Sequence, residues 1–223
     1  MKKVFNEGKN LNIDQRRDQK SPVNLNPIKY KPMKKLFSLL TVALVSTSVW
    51  AQTVLKNDIA HSRIQFTVTH LTINDITGNF NNNQLTIQKD DANFLNSKVN
   101  FTVDVNSIDT HVEARDNHLK SADFFEVEKY PQMTFTSTSI TKGKQKNYYN
   151  LHGNLTLHGV TKPVKLVLVD RGSTINAMNK KKTYSYQVVG SIKRSDFGVG
   201  GNFPEAVISN LVRIKGDFEL TAE

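Results

Sequence analysis

The residues best able to do chemistry are concentrated in one polar run, THVEARDNHLKSADFF, from Thr110 to Phe125. It brings His111 and His118 together with Glu113, Asp116, Asp123, Arg115 and Lys120, side chains from which acid–base or metal chemistry can be built. The spacing argues against a shared metal. His111 and His118 stand seven residues apart, roughly 10 Å along a helix, whereas zinc holds nitrogen ligands at about 2.0–2.1 Å. Four residues after His111, where a second ligand would face the same way, stands a cation, Arg115. His152 and His158 share one strand face, but six residues of strand cover roughly 20 Å. The chain also lacks G-x-S-x-G, H-E-x-x-H and G-x-x-x-x-G-K, the spacings of hydrolase, zinc-protease and phosphate-binding sites. No metal and no catalytic set is expected. The alternative is an enzyme using Asp116, His118 and Asp196 as acid and base.

Read as structure, the run has a simpler explanation. Thr110 and Glu113 match the S/T-x-x-E capping box that opens a helix. Val112, Leu119 and Ala122 fall on one helical stripe, and Asp116 precedes Lys120 by four, the favourable order for a surface pair. A short amphipathic helix seated on other elements is expected. A second polar cluster, SIKRSDFGVGGNFP (residues 191–204), places Lys193, Arg194 and Asp196 beside three glycines, which permit tight turns and exposed amides. It reads as a loop closing one end of the fold. Lys193 or Arg194 could meet an anionic or carbonyl head group there, with Asp116 and Asp196 as candidates to neutralise nearby cations.

Around these runs the dominant signal is period-two alternation. Ile64, Phe66 and Val68 alternate with polar neighbours, as do Val99, Phe101, Val103 and Val105, and Leu151, Leu155 and Leu157. Tyr184, Tyr186, Val188 and Ile192 form a further set, and Val212, Ile214, Phe218 and Leu220 the last. Weaker strands near 76–89, 132–140 and 163–170 bring the total to about eight. Short turns between most of them favour antiparallel neighbours. Eight strands with one apolar face must close into a barrel or stack as a sandwich, and the length of several runs favours the barrel. A barrel of this size is either filled by side chains or holds one small ligand.

Composition narrows the function. Cysteine is absent, which removes disulfides, thiol nucleophiles and cysteine-based zinc sites. The net charge of +10 suggests nucleic-acid binding, but residues 1–51 hold ten Lys/Arg against three Asp/Glu, and the rest hold twenty against seventeen. The excess belongs to the leader, and no nucleic-acid partner is expected. From Met33 the leader reads MKKLFSLLTVALVSTSVWAQT: a basic start, an apolar stretch of 14 residues over 36–49, then small residues. This is the layout of a signal peptide cleaved near Ala51/Gln52, and the stretch is short of the roughly 20 residues a membrane span needs. Three segments follow: an extension over 1–32, read as a mis-assigned start or a disordered tail; a signal peptide over 33–51; and one exported domain over 52–223.

The pieces HSRIQFTVTHL (61–71), GNF (78–80), SIDTHVEARDNHLKSADFFEVEKYPQMTF (107–135), GNLTLHGVTKPVKL (153–166) and KRSDFGV (193–199) together resemble the YceI-like family of lipid-binding, lipocalin-like periplasmic proteins. They run in order across nearly all of the exported domain. The resemblance implies an all-β fold, an extended eight-stranded antiparallel lipocalin-like barrel with one short helix inserted between strands. It further implies that the barrel holds a long polyisoprenoid, such as an isoprenoid quinone or prenyl phosphate. It supplies no catalytic motif to transfer, and no cofactor beyond the bound lipid is expected.

If the interior is hollow, parity places Phe66, Val68, Phe101, Val103, Phe135, Leu155, Leu166, Tyr186, Val188, Ile214 and Phe218 on its wall; the same residues would otherwise fill a solid core. Head-group candidates are Arg115, His118, Lys193 and Arg194. Carriage or storage of the lipid, with a membrane or membrane protein as donor or acceptor, is the expected role, in the periplasm or outside the cell. The oligomeric state stays open, a homodimer included.

Overall fold

Alternating side chains put one face of each strand toward a common interior and leave the other to water. In the computed structural model, which describes residues 52–223, that interior is enclosed by a ring of antiparallel strands. The expected extension and signal peptide lie outside the described residues. The strands are β1 (Gln52–Asn57), β2 (Arg63–His70), β3 (Asn74–Phe80), β4 (Asn83–Asp90), β5 (Lys98–Asp104), β6 (Ile108–Asp109), β7 (Gln132–Lys142), β8 (Tyr148–Leu157), β9 (Val160–Ile175), β10 (Lys182–Lys193) and β11 (Leu211–Ala222). One helix, α1 (Glu113–Lys120), stands between β6 and β7.

Eleven segments make eight staves. β11 pairs with β2 through Arg213–Asp217 and with β1 through Leu220–Ala222, so β1 and β2 are halves of one stave. β3 and β4 pair with β2 and β1 in turn, and β6 and β5 with β3 and β4. Short polar side chains make the breaks by offering the backbone a local partner. Asp58 accepts the Ala60 amide at 2.9 Å and Asp104 that of Asn106 at 3.0 Å; at the third break the Ser107 hydroxyl, from the neighbouring stave, accepts the Asn82 amide at 2.9 Å. β7 to β11 follow as neighbours, and the β1–β11 ladder closes the barrel. One seam is incomplete: the β9–β10 ladder ends at the Val167–Val189 pair. Beyond it, the first residues of β9 pair with β8 and the last of β10 with β11.

The two ends differ. Where β4 passes to β5, the turn Phe94–Asn96 presses Phe94 against Tyr149 and Tyr186, at ring separations of 4.8 and 5.8 Å. Beside this aromatic plug, Leu55, Ile87, Leu168 and Leu220 are wholly buried. The Asp90 carboxylate holds the turn by accepting the amides of Ala92 and Asn93 at 2.9 and 2.8 Å. At the opposite end lie α1 and the long β10–β11 connection.

The helix departs from expectation in its details. It begins after Val112, which makes no side-chain cap, and Ala122 lies exposed beyond its end. Val112 is exposed as well, leaving Leu119 as the member of the stripe packed on the core. Thr110 does not cap the helix: its hydroxyl donates to the Asp116 carboxylate and accepts from Arg115. Bonds to two charged groups are stronger than one to a neutral amide, and they turn Asp116 toward Thr110 instead of Lys120.

Candidate functional site

Between the plug and the helix the barrel is hollow. A cavity of about 360 Å³ opens beneath α1, and Phe66, Val68 and Ile214 form part of its wall with Ile64, Ile192 and Val212. Below it lies a smaller space of about 70 Å³ lined by Phe101, Phe135, Leu155, Leu166, Val188, Ile214 and Phe218. Ile64, Met133, Ile192 and Ile214 border both spaces, so the two follow one another down the axis. Nine of the eleven wall residues expected from parity therefore face a void. Val103 and Tyr186 do not line it. Val103 packs with Phe80, Val105 and Ile108 in a cluster of their own. Tyr186 belongs to the plug, where its hydroxyl has no hydrogen-bond partner among the described residues. Burial, with the Asp170 charge adding to it, raises that phenol's pKa above the usual range.

The mouth is where the polar groups gather. Arg115 donates from Nε to Thr110 Oγ1 and from Nη2 to the Thr110 carbonyl, both at 2.7 Å. Thr110, itself buried, gives its amide to Asp116 at 2.8 Å. Arg115 and Thr110 both line the cavity, and Arg115 Nη1 has no protein acceptor among the described residues. A half-buried guanidinium with donors to spare, above apolar walls, suits an anionic or carbonyl group. His118 also lines the mouth: Nε2 lies 2.9 Å from Asp123, and the ring stands edge-on to Phe124 and Phe203.

Arg194 lines the cavity too, but its donors are committed. Nε donates to the carbonyl of Ser209, Nη1 to those of Val199 and Gly200, and Nη2 to those of Phe203 and Ile208. Five N–H groups meet five carbonyls, which saturates the guanidinium. Burial lowers its pKa from the ordinary arginine value, with Glu205 acting in the opposite direction. Its positive charge still faces the cavity, with no carboxylate in direct contact among the described residues. Lys193 is exposed and outside the lining, because Ile192 takes the inward position of β10.

The acid–base alternative is not assembled. Asp116 is held by Thr110, His118 by Asp123, and Asp196 is exposed, 3.8 Å from Lys162 and away from the cavity. Among the described residues no three metal-ligating side chains cluster.

Several lining residues escape sequence reasoning. Phe203, Val207 and Ile208 come from the β10–β11 connection, and Phe124 and Phe125 from the segment after α1. Neither stretch has a period to follow. The SADFF run is the one sequence signal that points to the last two.

Comparison with known proteins agrees with this architecture. A model of the YceI-like domain matches residues 55–220. A UPF0312 protein of Pectobacterium atrosepticum is 37% identical over 169 residues, covering 74% of this chain and 86% of its own. The crystal structure of Burkholderia cenocepacia BcnA superposes with a TM-score of 0.66 at 27% identity, covering 75% of this chain and 99% of that one. A Saccharophagus degradans domain described as polyisoprenoid-binding and implicated in plant cell wall breakdown gives a TM-score of 0.58, covering 78% of this chain and 100% of that one. At 18% identity it attests the shared barrel alone.

Proposed function

Because the chain belongs to the YceI-like family, we propose that it is an exported binding protein that shelters a polyisoprenoid lipid, such as an isoprenoid quinone or prenyl phosphate, for carriage or storage. The observation that carries this reading is the cavity: apolar walls, a volume of about 360 Å³, and Thr110, Arg115 and His118 at one end. That volume is within the range of small-molecule pockets, and the space continues downward to Phe218. From Val212 to Phe218 the lined stretch of β11 covers roughly 20 Å.

A prenyl tail gains about 0.8 kcal/mol for each CH₂ taken from water. Two or three five-carbon units supply about 8–12 kcal/mol before ordering costs. Apolar walls give that energy without selecting the molecule; selection falls to the mouth. There Arg115 donates to the head group directly, and the saturated Arg194 adds its field. The separate partners of Asp116, His118 and Asp196 favour binding over turnover. Export rests on the leader MKKLFSLLTVALVSTSVWAQT, and a purified protein beginning at Gln52 would bear it out.

The test is mass spectrometry of the organic extract, then rebinding of a fluorescent prenyl phosphate to the stripped protein. A retained, unmodified prenyl lipid is expected. Arg115→Gln should weaken prenyl phosphate about 10- to 100-fold, the value of a hydrogen bond to a charged group, and leave a head-group-free polyisoprene unaffected. A wild-type protein that yields no lipid and rebinds none sinks the reading.

A further inference from the structure

We propose that the mouth of the barrel is a bilayer-docking face, formed by Leu71, Ile73, Val112 and Leu211 with Lys193 beside them. The proposal rests on the reading of the cavity as a lipid site. Ile73 is 84% exposed and Leu71, Leu211 and Val112 are 51%, 50% and 46% exposed, high values for large apolar side chains. All four belong to the rim. Leu71 follows His70, which lines the cavity, and its amide is tied to the carbonyl of Val207, another lining residue. Ile73 precedes β3, whose Ile76 faces the cavity, and Leu211 precedes the lining Val212. Val112 leads into the helix that carries Arg115.

The occupant follows from the cargo. A prenyl tail that crosses even a thin water layer exposes every methylene it carries, and the far end of the barrel is plugged by Phe94, Tyr149 and Tyr186. Transfer without that exposure requires the open end to touch the bilayer. On the rim, Arg213 pairs with Asp75, while His118 lies 2.9 Å from Asp123 and His111 3.4 Å from Asp109. Lys193 stands opposite Leu211 in the β10–β11 register, where a long side chain can reach lipid phosphates while its stem stays apolar. The plugged end also exposes Ile175 and Met178, but among Lys180, Lys181 and Lys182 and away from the lining of the cavity.

The absence of cysteine allows one polarity-sensitive fluorophore to be placed at will, on Ile73→Cys at the mouth or Met178→Cys at the plugged end. Both are measured in the protein beginning at Gln52, which comprises the whole barrel, with phosphatidylcholine vesicles free of prenyl lipid. A blue shift at position 73 and none at 178, largely retained at high salt, is expected. Adding Leu71→Ser and Leu211→Ser should weaken partitioning at least ~10-fold, since each removes apolar surface from the contact. A shift at 178 instead, no shift at either position, or a serine variant that partitions like its parent overturns the proposal. A shift at 73 in a protein that rebinds no prenyl phosphate upholds the docking face and refutes the cavity reading beneath it.

Discussion

Arg194 is a buried cation with no carboxylate in contact among the described residues, and its five carbonyl partners explain how it is tolerated. A buried charge is held in place when its donors are all satisfied; here they draw Val199, Gly200, Phe203, Ile208 and Ser209 around one planar group. Lysine offers three donors from a single point and cannot span that circle. Arg194→Lys should therefore cost about 3 kcal/mol, read as a lower urea midpoint, with the loop that carries Phe203 loosened. The sequence marked Arg194 as a head-group contact because it is a cation beside glycines. Its carbonyls come from positions 199–209, which have no period, so the saturation was invisible there. Arg115 was legible as a mouth cation, since it sits on the one helical segment. Its anchor, Thr110, matched a capping box that charged neighbours override.

At the level of elements, close packing around glycine sets how wide the barrel interior can be. A Cβ built on Gly153 of β8 would lie 2.3 Å from Cζ of Phe135 and 2.5 Å from the carbonyl oxygen of Thr136. The ring can turn aside into the lower space, but the backbone oxygen cannot yield without disturbing the β7–β8 ladder. Gly153→Ala is expected to lose about 1–3 kcal/mol, as overpacked sites do, and to shorten the longest prenyl tail bound, checked by denaturation and by a chain-length series. Strands such as β2, β5 and β11 were legible because alternation has a period of two and the interior is continuous. The breaks at Asp58, Asn82 and Asp104 were not, since an aspartate accepting a local amide, or an asparagine amide given to a serine hydroxyl, interrupts a strand without changing its parity. Val103 shows the limit of parity: it points inward, and Phe80 and Ile108 cover it before the cavity does.

Closure makes the whole molecule depend on ionised carboxylates at its joints. The Arg213 guanidinium, then the Thr69 hydroxyl, holds the Asp75 carboxyl below the usual range. For Asp90 the Asn93 amide does so against the cost of burial, helped by Asn96 and Ala92. The His111 amide and Asn81 act likewise on Asp109. A depressed native pKa means the folded state prefers the charged form. These contributions are present above the ordinary carboxylate value of about 4 and vanish as pH falls through the lower native values. Tm should thus decline below roughly pH 4, and an acid scan by circular dichroism would show it; a Tm unchanged down to pH 2 would contradict the assignment. The aromatic plug has a separate consequence. In the carrier proposed above, a barrel sealed at the base is filled and emptied over the same lip, so cargo that goes in tail first comes out head first. Such a carrier would be no conduit between two membranes; after loading at one it would let go, turn over in solution, and present its lip to the other.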